Sequence, residues 1–587
     1  MTRLVIDPVT RIEGHLRIEA EVDSGLVKKA WASGTMFRGL ELILKGRDPR
    51  DAWYFVQRIC SVCTAVHAIA SVRAVENALG ITIPENAQLI RNLIEAMQYI
   101  HDHVMHFYHL HALDWVDVTS ALNADPKKTS QLQESISDWP RSNPRYFQDV
   151  KDRLETFVDS GQLGIFANGY WGHPAYKLPP EADLLAVAHY INALDWQKSV
   201  SRFIAILGGR HPCPNFLVGG MATAINPDSD QALNASRLIL MKELLQEAQD
   251  FVEKVYFPDV LAIASFYPEW TKLGEGLGNF LACGDFQLDG PKVDDSRRVG
   301  SSTTRRDPVD KAGNMFFPSG VIWNRKIEEV KKFNQEQITE YVSRSWYTYS
   351  DGSTDAKHPF DGETNPKYTG PKPPYDFLTV DEKYSWIKSP RYDGKPVEVG
   401  PLARVLVAYG MGQKQITDLV DKSIRQLGVG KEALFSTLGR TLARAIETVA
   451  LMDEIWGWYN KFVVNIGAGD YTTANTEKWE PSTWPAEAQG VGFVDAPRGA
   501  LGHWIKIKNG KIDHYQMVVP TTWNSSPPDP SGQIGAYEAS LVGTPVVDAD
   551  KPIEVLRTIH SFDPCIACAV HVHDAGKKKI KSAGIMP

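Results

Sequence analysis

The chain has 587 residues, far more than one hydrophobic core usually absorbs. Hydrophobic residues at 43% and charged residues at 23% exclude a mostly disordered or fibrous chain. A net charge of −8 over 63 basic and 71 acidic residues leaves no basic footprint, so nucleic acid is not an expected partner. No apolar run reaches the length that spans a bilayer. Asp7, Arg11 and Glu13 break up the opening segment, so no secretory signal is expected there.

In chain order, Leu16, Ile18, Ala20 and Val22 alternate with polar residues and stop at Asp23-Ser24-Gly25. This predicts a β-hairpin whose returning strand carries Val27, Ala30 and Ala32. Pro84 opens a long helical pattern to about position 118, through Leu89, Leu93, Met97, Ile100, Val104 and Tyr108. Further long helices are predicted over about 182–206, 229–256 and 433–465. From about 285 to 400 the texture turns to Pro, Gly, Asp, Tyr and Lys, and the expectation is irregular surface segments with short strands. A second hairpin is expected near 491–520, turning at Asn509-Gly510. The fold class is therefore α+β and predominantly helical, with long central helices and small peripheral β-sheets.

Six cysteines in this length exclude a disulfide-stapled scaffold. Four of them form two equal spacings near opposite ends, Cys60-Ser61-Val62-Cys63 and Cys565-Ile566-Ala567-Cys568. Cys213 and Cys283 are solitary and read as buried structural thiols. Two CxxC pairs can give four thiolates to one metal centre, and spacing alone leaves structural zinc, a redox or catalytic metal and disulfide chemistry open. The flanks separate these readings. Each pair has a charged residue two positions before its first cysteine (Arg58, Asp563) and a histidine shortly after its second (His67, His571). A structural zinc knuckle needs neither.

With these flanks the sequence resembles the large, catalytic subunit of [NiFe] hydrogenases, in the respiratory hydrogen-uptake group and in precursor form. The matching motifs are RIEGH (Arg11 to His15), GTMFRGLE (Gly34 to Glu41), RICSVC, GIFANGYWGHP (Gly164 to Pro174), APRG (Ala496 to Gly499) and DPCIACAVH. They occur in the family's order across essentially the whole chain. Ser61 departs from the glycine that many members carry there. The resemblance implies one large-subunit domain over 1–571, including a β-hairpin region at about 1–35, and a propeptide at 572–587.

It also implies roles. Cys60 and Cys565 would be terminal nickel ligands, with Cys63 and Cys568 bridging to an iron that carries one carbon monoxide and two cyanides. The reaction would be reversible heterolysis of H2, with Cys565 taking the first proton and Glu13 as the neighbouring gating carboxylate. Arg498 would stand over the open site, with Asp102, Asp563 and Pro497 completing a polar shell. His67 would hydrogen-bond a bridging sulfur, Pro520 and Thr521 would bond one cyanide, and Leu501 would give apolar contact to the iron's diatomic ligands. Glu41, the carbonyl of Met517 and His571 match a magnesium site. Asp102 stands among His101, His103, His106, His109 and His111, which point to more than one helix face and read mostly as packing or surface residues.

The polar tail after His571 would be removed by a maturation protease once nickel is in place. Electrons need an iron–sulfur small subunit, because Cys213 and Cys283 cannot ligate a cluster within this chain. A membrane cytochrome or quinone-reducing subunit would follow. Export with the small subunit would place the mature enzyme on the periplasmic side of the cytoplasmic membrane, peripheral and not membrane-spanning. The alternative is a structural zinc-binding or non-catalytic scaffold subunit of a respiratory complex, whose known relatives lack the four cysteines.

Overall fold

The computed structural model describes residues 2–161, 163–167, 169–288, 315–373 and 376–569, with Cys568 given by its backbone alone. The first strands form an antiparallel sheet in the order Thr2–Ile6, Leu16–Asp23, Leu26–Gly34. Asp23 pairs with Leu26 across Ser24 and Gly25, both at positive φ (53° and 74°), the geometry a two-residue hairpin turn demands. Leu16, Ile18 and Ala20 face the core, and Val27, Ala30 and Ala32 return on the same side. The Thr2–Ile6 strand was not anticipated, since five residues with few buried positions give little alternation to read.

Among the described residues six helices of sixteen or more residues build the body: Thr64–Leu79, Glu85–Met105, Pro144–Asp159, Pro180–Gly208, Ala235–Phe251 and Thr437–Gly467, of which the first and third lie outside the expected helices. Two differ from the expected bounds for local reasons. The Ala235–Phe251 helix starts later because Asn234 caps it, its side chain accepting from the Arg237 amide. The Glu85–Met105 helix gives way to one wide π turn at His106–His111. His106 and His111 in that turn are buried and stack at 5.4 Å, and His103, in the α-helix before it, is buried as well.

The sheets are small, each of two or three strands. One of them, Glu487–Ala496, Gly499–Lys508 and Lys511–Val518, reaches inward. Lys508 pairs with Lys511 across the expected Asn509-Gly510 turn, and Ala496 pairs with Gly499 across Pro497-Arg498. Gly490 and Gly492 lie on the Thr64–Leu79 helix so closely that a Cβ at either would strike the backbone of Ala74 and Ala78 or of Ala70. These glycines let the strand that ends at Pro497-Arg498 lie along the helix that begins just after Cys63.

The described part of 285–400 has the expected short strands but is not confined to the surface: Glu340, Lys388, Ser389 and Arg391 are buried. Side chains satisfy its irregular backbone. The Lys383 ammonium, for example, donates to the carbonyls of Val342, Ser345 and Tyr347. Among the described residues no helix is long and apolar enough to cross a membrane.

Candidate metal centre

The Cys60–Cys63 loop is fixed before any metal is considered. Arg38 donates to the carbonyls of Ile59 (2.6 Å) and Arg58. From the Glu85–Met105 helix, Gln98 accepts from the Ala65 amide (2.9 Å) and donates to the Val62 carbonyl (2.7 Å). The amides of Val62 and Cys63 then point at Cys60 Sγ, 3.2 and 3.0 Å away, where they favour a thiolate. Ser61 is exposed, so its hydroxyl does not crowd the loop.

The other half arrives from 505 positions away, with Cys565 Sγ 3.3 Å from Cys60 Sγ. Cys60, Cys63 and Cys565 are all buried and their sulfurs lie within 4.8 Å of one another. Two contacts fix Cys565. Its amide donates to Thr521 Oγ1 (3.1 Å), and Glu13 bridges beside it, with the Glu13 amide on the Pro564 carbonyl (3.2 Å) and the Ile566 amide on the Glu13 carbonyl (2.7 Å). Gly14, at φ 87°, sits against Ile566 and Ala567 where no Cβ fits. The side chain of Cys568 and all of His571 lie outside the described residues.

Arg498 roofs the sulfurs. It donates to the Asp563 carbonyl and carboxylate (both 3.0 Å) and meets Asp102 at 3.3 Å, and all three side chains are buried. Burial alone would lower the Arg498 pKa, but Asp563, Cys565, Asp102 and Cys63 reverse that and hold it well above its ordinary value. Burial raises the pKa of Asp563, against the pull of Arg498. The turn that carries Arg498 hangs from Arg404, which donates to the carbonyls of Ala496 (2.7 Å) and Pro497 (2.9 Å). Arg404 also pairs with Asp495 (2.6 Å) and Glu447 (2.7 Å). Arg404 is the lone charged residue of the apolar run Leu402–Ala408, the local signature of a buried, paired arginine.

A small cavity adjoins the sulfurs, lined by Cys63, His67, Ala496, Arg498, Leu501, Pro520, Thr521 and Cys565. Thr521 Oγ1 accepts from the Cys565 amide and also stands beside the Tyr537 hydroxyl. His67 is pushed down to about 4 by burial and is therefore neutral at pH 7. Its Nδ1 lies 3.2 Å from His503 Nε2, and His503 Nδ1 lies 2.8 Å from the Tyr515 hydroxyl. A neutral His67 can donate toward the cysteines only if His503 donates to it.

Of the residues expected to hold magnesium, Glu41 accepts from the Met517 amide at 2.9 Å. Burial pushes Glu41 up to about 7, against the pull of Lys388. Lys388 stands 3.7 Å away and pairs with Glu340 at 2.8 Å, and Glu340 Oε1 has no hydrogen-bond partner. Two carboxylates with an orphaned oxygen suit a hard cation that prefers oxygen ligands. The solitary cysteines divide: Cys283 is buried as expected, whereas Cys213 is half-exposed in the loop after the cis His211–Pro212 bond.

A closed zinc knuckle would have no use for a pocket walled by a guanidinium beside its sulfurs. Soft thiolates that converge next to such a pocket are the donor set of a catalytic redox metal, and they fit a nickel–iron group. The comparisons with known proteins agree. A family model described as "Nickel-dependent hydrogenase" matches residues 38–571, and one described as "HoxL-like" matches residues 3–32. The uptake hydrogenase large subunit of Bradyrhizobium diazoefficiens is 54% identical over 585 residues, covering 97% of this chain and 95% of the relative. Hydrogenase-1 large chain of Escherichia coli K12 is 48% identical over 584 residues, with the same coverage. The structure of the reduced Ni-Fe-Se hydrogenase from D. vulgaris Hildenborough matches with a TM-score of 0.73 at 35% identity, over 97% of this chain and 100% of that one. The chain belongs to the nickel-dependent hydrogenase family, as a large subunit.

Proposed function

We propose that this chain is the catalytic large subunit of an uptake hydrogenase, oxidising H2 to two protons and two electrons. One observation carries the reading: thiols from the two ends of the chain converge, buried, beneath Arg498. Cys60 and Cys565 would be terminal nickel ligands, with Cys63 and Cys568 shared with iron. When bound, the nickel–iron group with its carbon monoxide and two cyanides supplies the open coordination position and the redox capacity.

The protein's own residues do the rest. Arg498, pinned by Asp563 and Asp102, keeps a fixed positive charge over the site without needing to reorganise. Leu501 and Pro520 give the pocket an apolar wall, and the Thr521 hydroxyl would donate to a cyanide of the bound group. His67 would orient a sulfur shared by the two metals. Cys565 Sγ holds the first proton, and Glu13, bridged to the same residue through its backbone, takes it onward. Glu41, the Met517 carbonyl and His571 would hold magnesium, supported by Glu340.

Electrons leave through an iron–sulfur small subunit, since among the described residues Cys213 and Cys283 join no cluster of metal ligands. A membrane cytochrome or quinone-reducing subunit would be next, on the periplasmic side of the cytoplasmic membrane. Residues 572–587 would be cut off by a maturation protease. The test is H2-dependent dye reduction by the purified complex together with metal analysis. Nickel and iron with H2 uptake, both lost in Cys565→Ser, are expected; zinc alone without uptake would overturn the reading.

A further inference from the structure

Asp114 lies beyond the thiolate site, yet it ties together the two segments that bring Glu13 and Cys565 side by side. Its Oδ1 accepts from Arg11 at 2.5 Å, and Arg11 also donates to the Leu110 carbonyl at 2.6 Å. Its Oδ2 lies 2.6 Å from His560 Nδ1 and 3.3 Å from His111 Nδ1. Arg557, from the same Ile553–His560 helix as His560, donates to the Asp114 carbonyl at 2.8 Å. The Asp114 and His560 side chains are fully buried.

His560 faces acceptors on both sides of its ring, since Nε2 lies 2.9 Å from the Thr10 carbonyl. The ring thus links Thr10 to Asp114 through its two nitrogens. Although His111, Asp114 and His560 have the spacing of a metal site, the Asp114 carboxylate is already engaged by the Arg11 guanidinium on Oδ1 and by His560 on Oδ2. The cluster is a strap. Arg11 stands two residues before Glu13, and His560 five before Cys565.

The segment departs from regular structure, with Arg11 and Gly14 at positive φ, 56° and 87°; apart from the strap it is held by the two Glu13 main-chain hydrogen bonds, by Gly14 against Ile566 and Ala567, and by Ile12 on the core. We propose that Asp114 is a positioning residue for proton transfer: its paired contacts to Arg11 and His560 hold the Thr10–Gly14 segment so that Glu13 stays within reach of Cys565. This inference rests on the reading of Glu13 as a proton carrier. It predicts a loss in transfer rate with the metal centre intact, because a displacement of about 1 Å is enough to slow a positioned reaction markedly.

The test uses the assembled holoenzyme and the isosteric Asp114→Asn. Infrared bands of the diatomic ligands should stay at their wild-type positions while H2/D2O exchange falls on the order of tenfold. Backbone amide exchange across residues 9–14 should quicken. In a Glu13→Gln background the same substitution should change the residual H2/D2O exchange by less than about twofold, because the two residues act through one step. Equal losses in both backgrounds, or unaltered amide exchange over 9–14, would overturn the proposal. If Asp114→Asn fails to assemble the centre, Arg11→Gln reports on the same strap with the same outcomes. Should Glu13→Gln alone leave H2/D2O exchange intact, it is the reading of Glu13 that falls, and amide exchange alone then decides whether the strap exists.

Discussion

Glu13 and Cys565, 552 positions apart, are held side by side by main-chain hydrogen bonds, the Glu13 amide to the Pro564 carbonyl and the Ile566 amide to the Glu13 carbonyl. The backbone fixes this pairing, so it survives a change of the Glu13 side chain. Glu13→Gln is therefore expected to keep nickel, iron and the infrared bands of the centre while suppressing H2/D2O exchange and turnover by about 100-fold or more. Exchange at the wild-type rate would remove Glu13 from the proton path.

Arg498→Lys keeps the charge but not the planar fork that spans Asp563 and Asp102. Dye-linked H2 oxidation should fall by about 100-fold with metal content unchanged, at the lower end of the scale of a lost preorganised donor. Wild-type kinetics would mean that the guanidinium serves packing alone.

Arg404 carries no proposed chemistry, so it reads out stability. Arg404→Met strands Glu447 and Asp495, both fully buried. The expected cost is about 3–5 kcal/mol, visible as a lower denaturant midpoint of the complex. A midpoint within error of wild type would show that Arg404 does not hold the Pro497-Arg498 turn.

Glu538 gives a pH signature. Burial pushes its carboxyl up to about 8, opposed by hydrogen bonds from the Ala32 amide and the Tyr384 hydroxyl and by Arg391. The folded state binds this proton more tightly than the unfolded chain does. Its contribution is thus complete below the ordinary glutamate value of 4.5 and is lost as pH rises toward about 8. The slope is at most about 1.4 kcal/mol per pH unit. Stability measured between pH 5 and 8 should fall less steeply in Glu538→Gln than in wild type, and identical slopes would contradict the assignment.

The tail prediction needs only a mass. Active holoenzyme should contain a large subunit that ends at His571, without residues 572–587. Full activity with an intact C-terminus would defeat the propeptide reading.

Much of this was legible in the letters because local chemistry wrote it. The turns at Ser24-Gly25 and Asn509-Gly510 follow from which residues tolerate positive φ, and the long helices follow from apolar spacing. The thiols of Cys60, Cys63 and Cys565 announced themselves by spacing and flanks. Gln98, Glu340, Lys388, Asp114 and His560 did not. Each matters through a partner far away in sequence, such as Gln98 beneath the Cys60 loop or Asp114 joined to Arg11 and His560, and no local pattern encodes such a pairing. The π turn at His106–His111 was hidden for a related reason, since its apolar spacing does not differ from that of an α-helix.

The most direct measurement is infrared spectroscopy of the purified complex, alongside nickel and iron determination. If sulfurs from both ends of the chain hold one nickel–iron centre, metal-bound carbon monoxide and cyanide will absorb where protein does not. Those bands will vanish in Cys60→Ser and in Cys565→Ser alike. Their absence from active, metal-loaded protein, or their persistence in either variant, would contradict it.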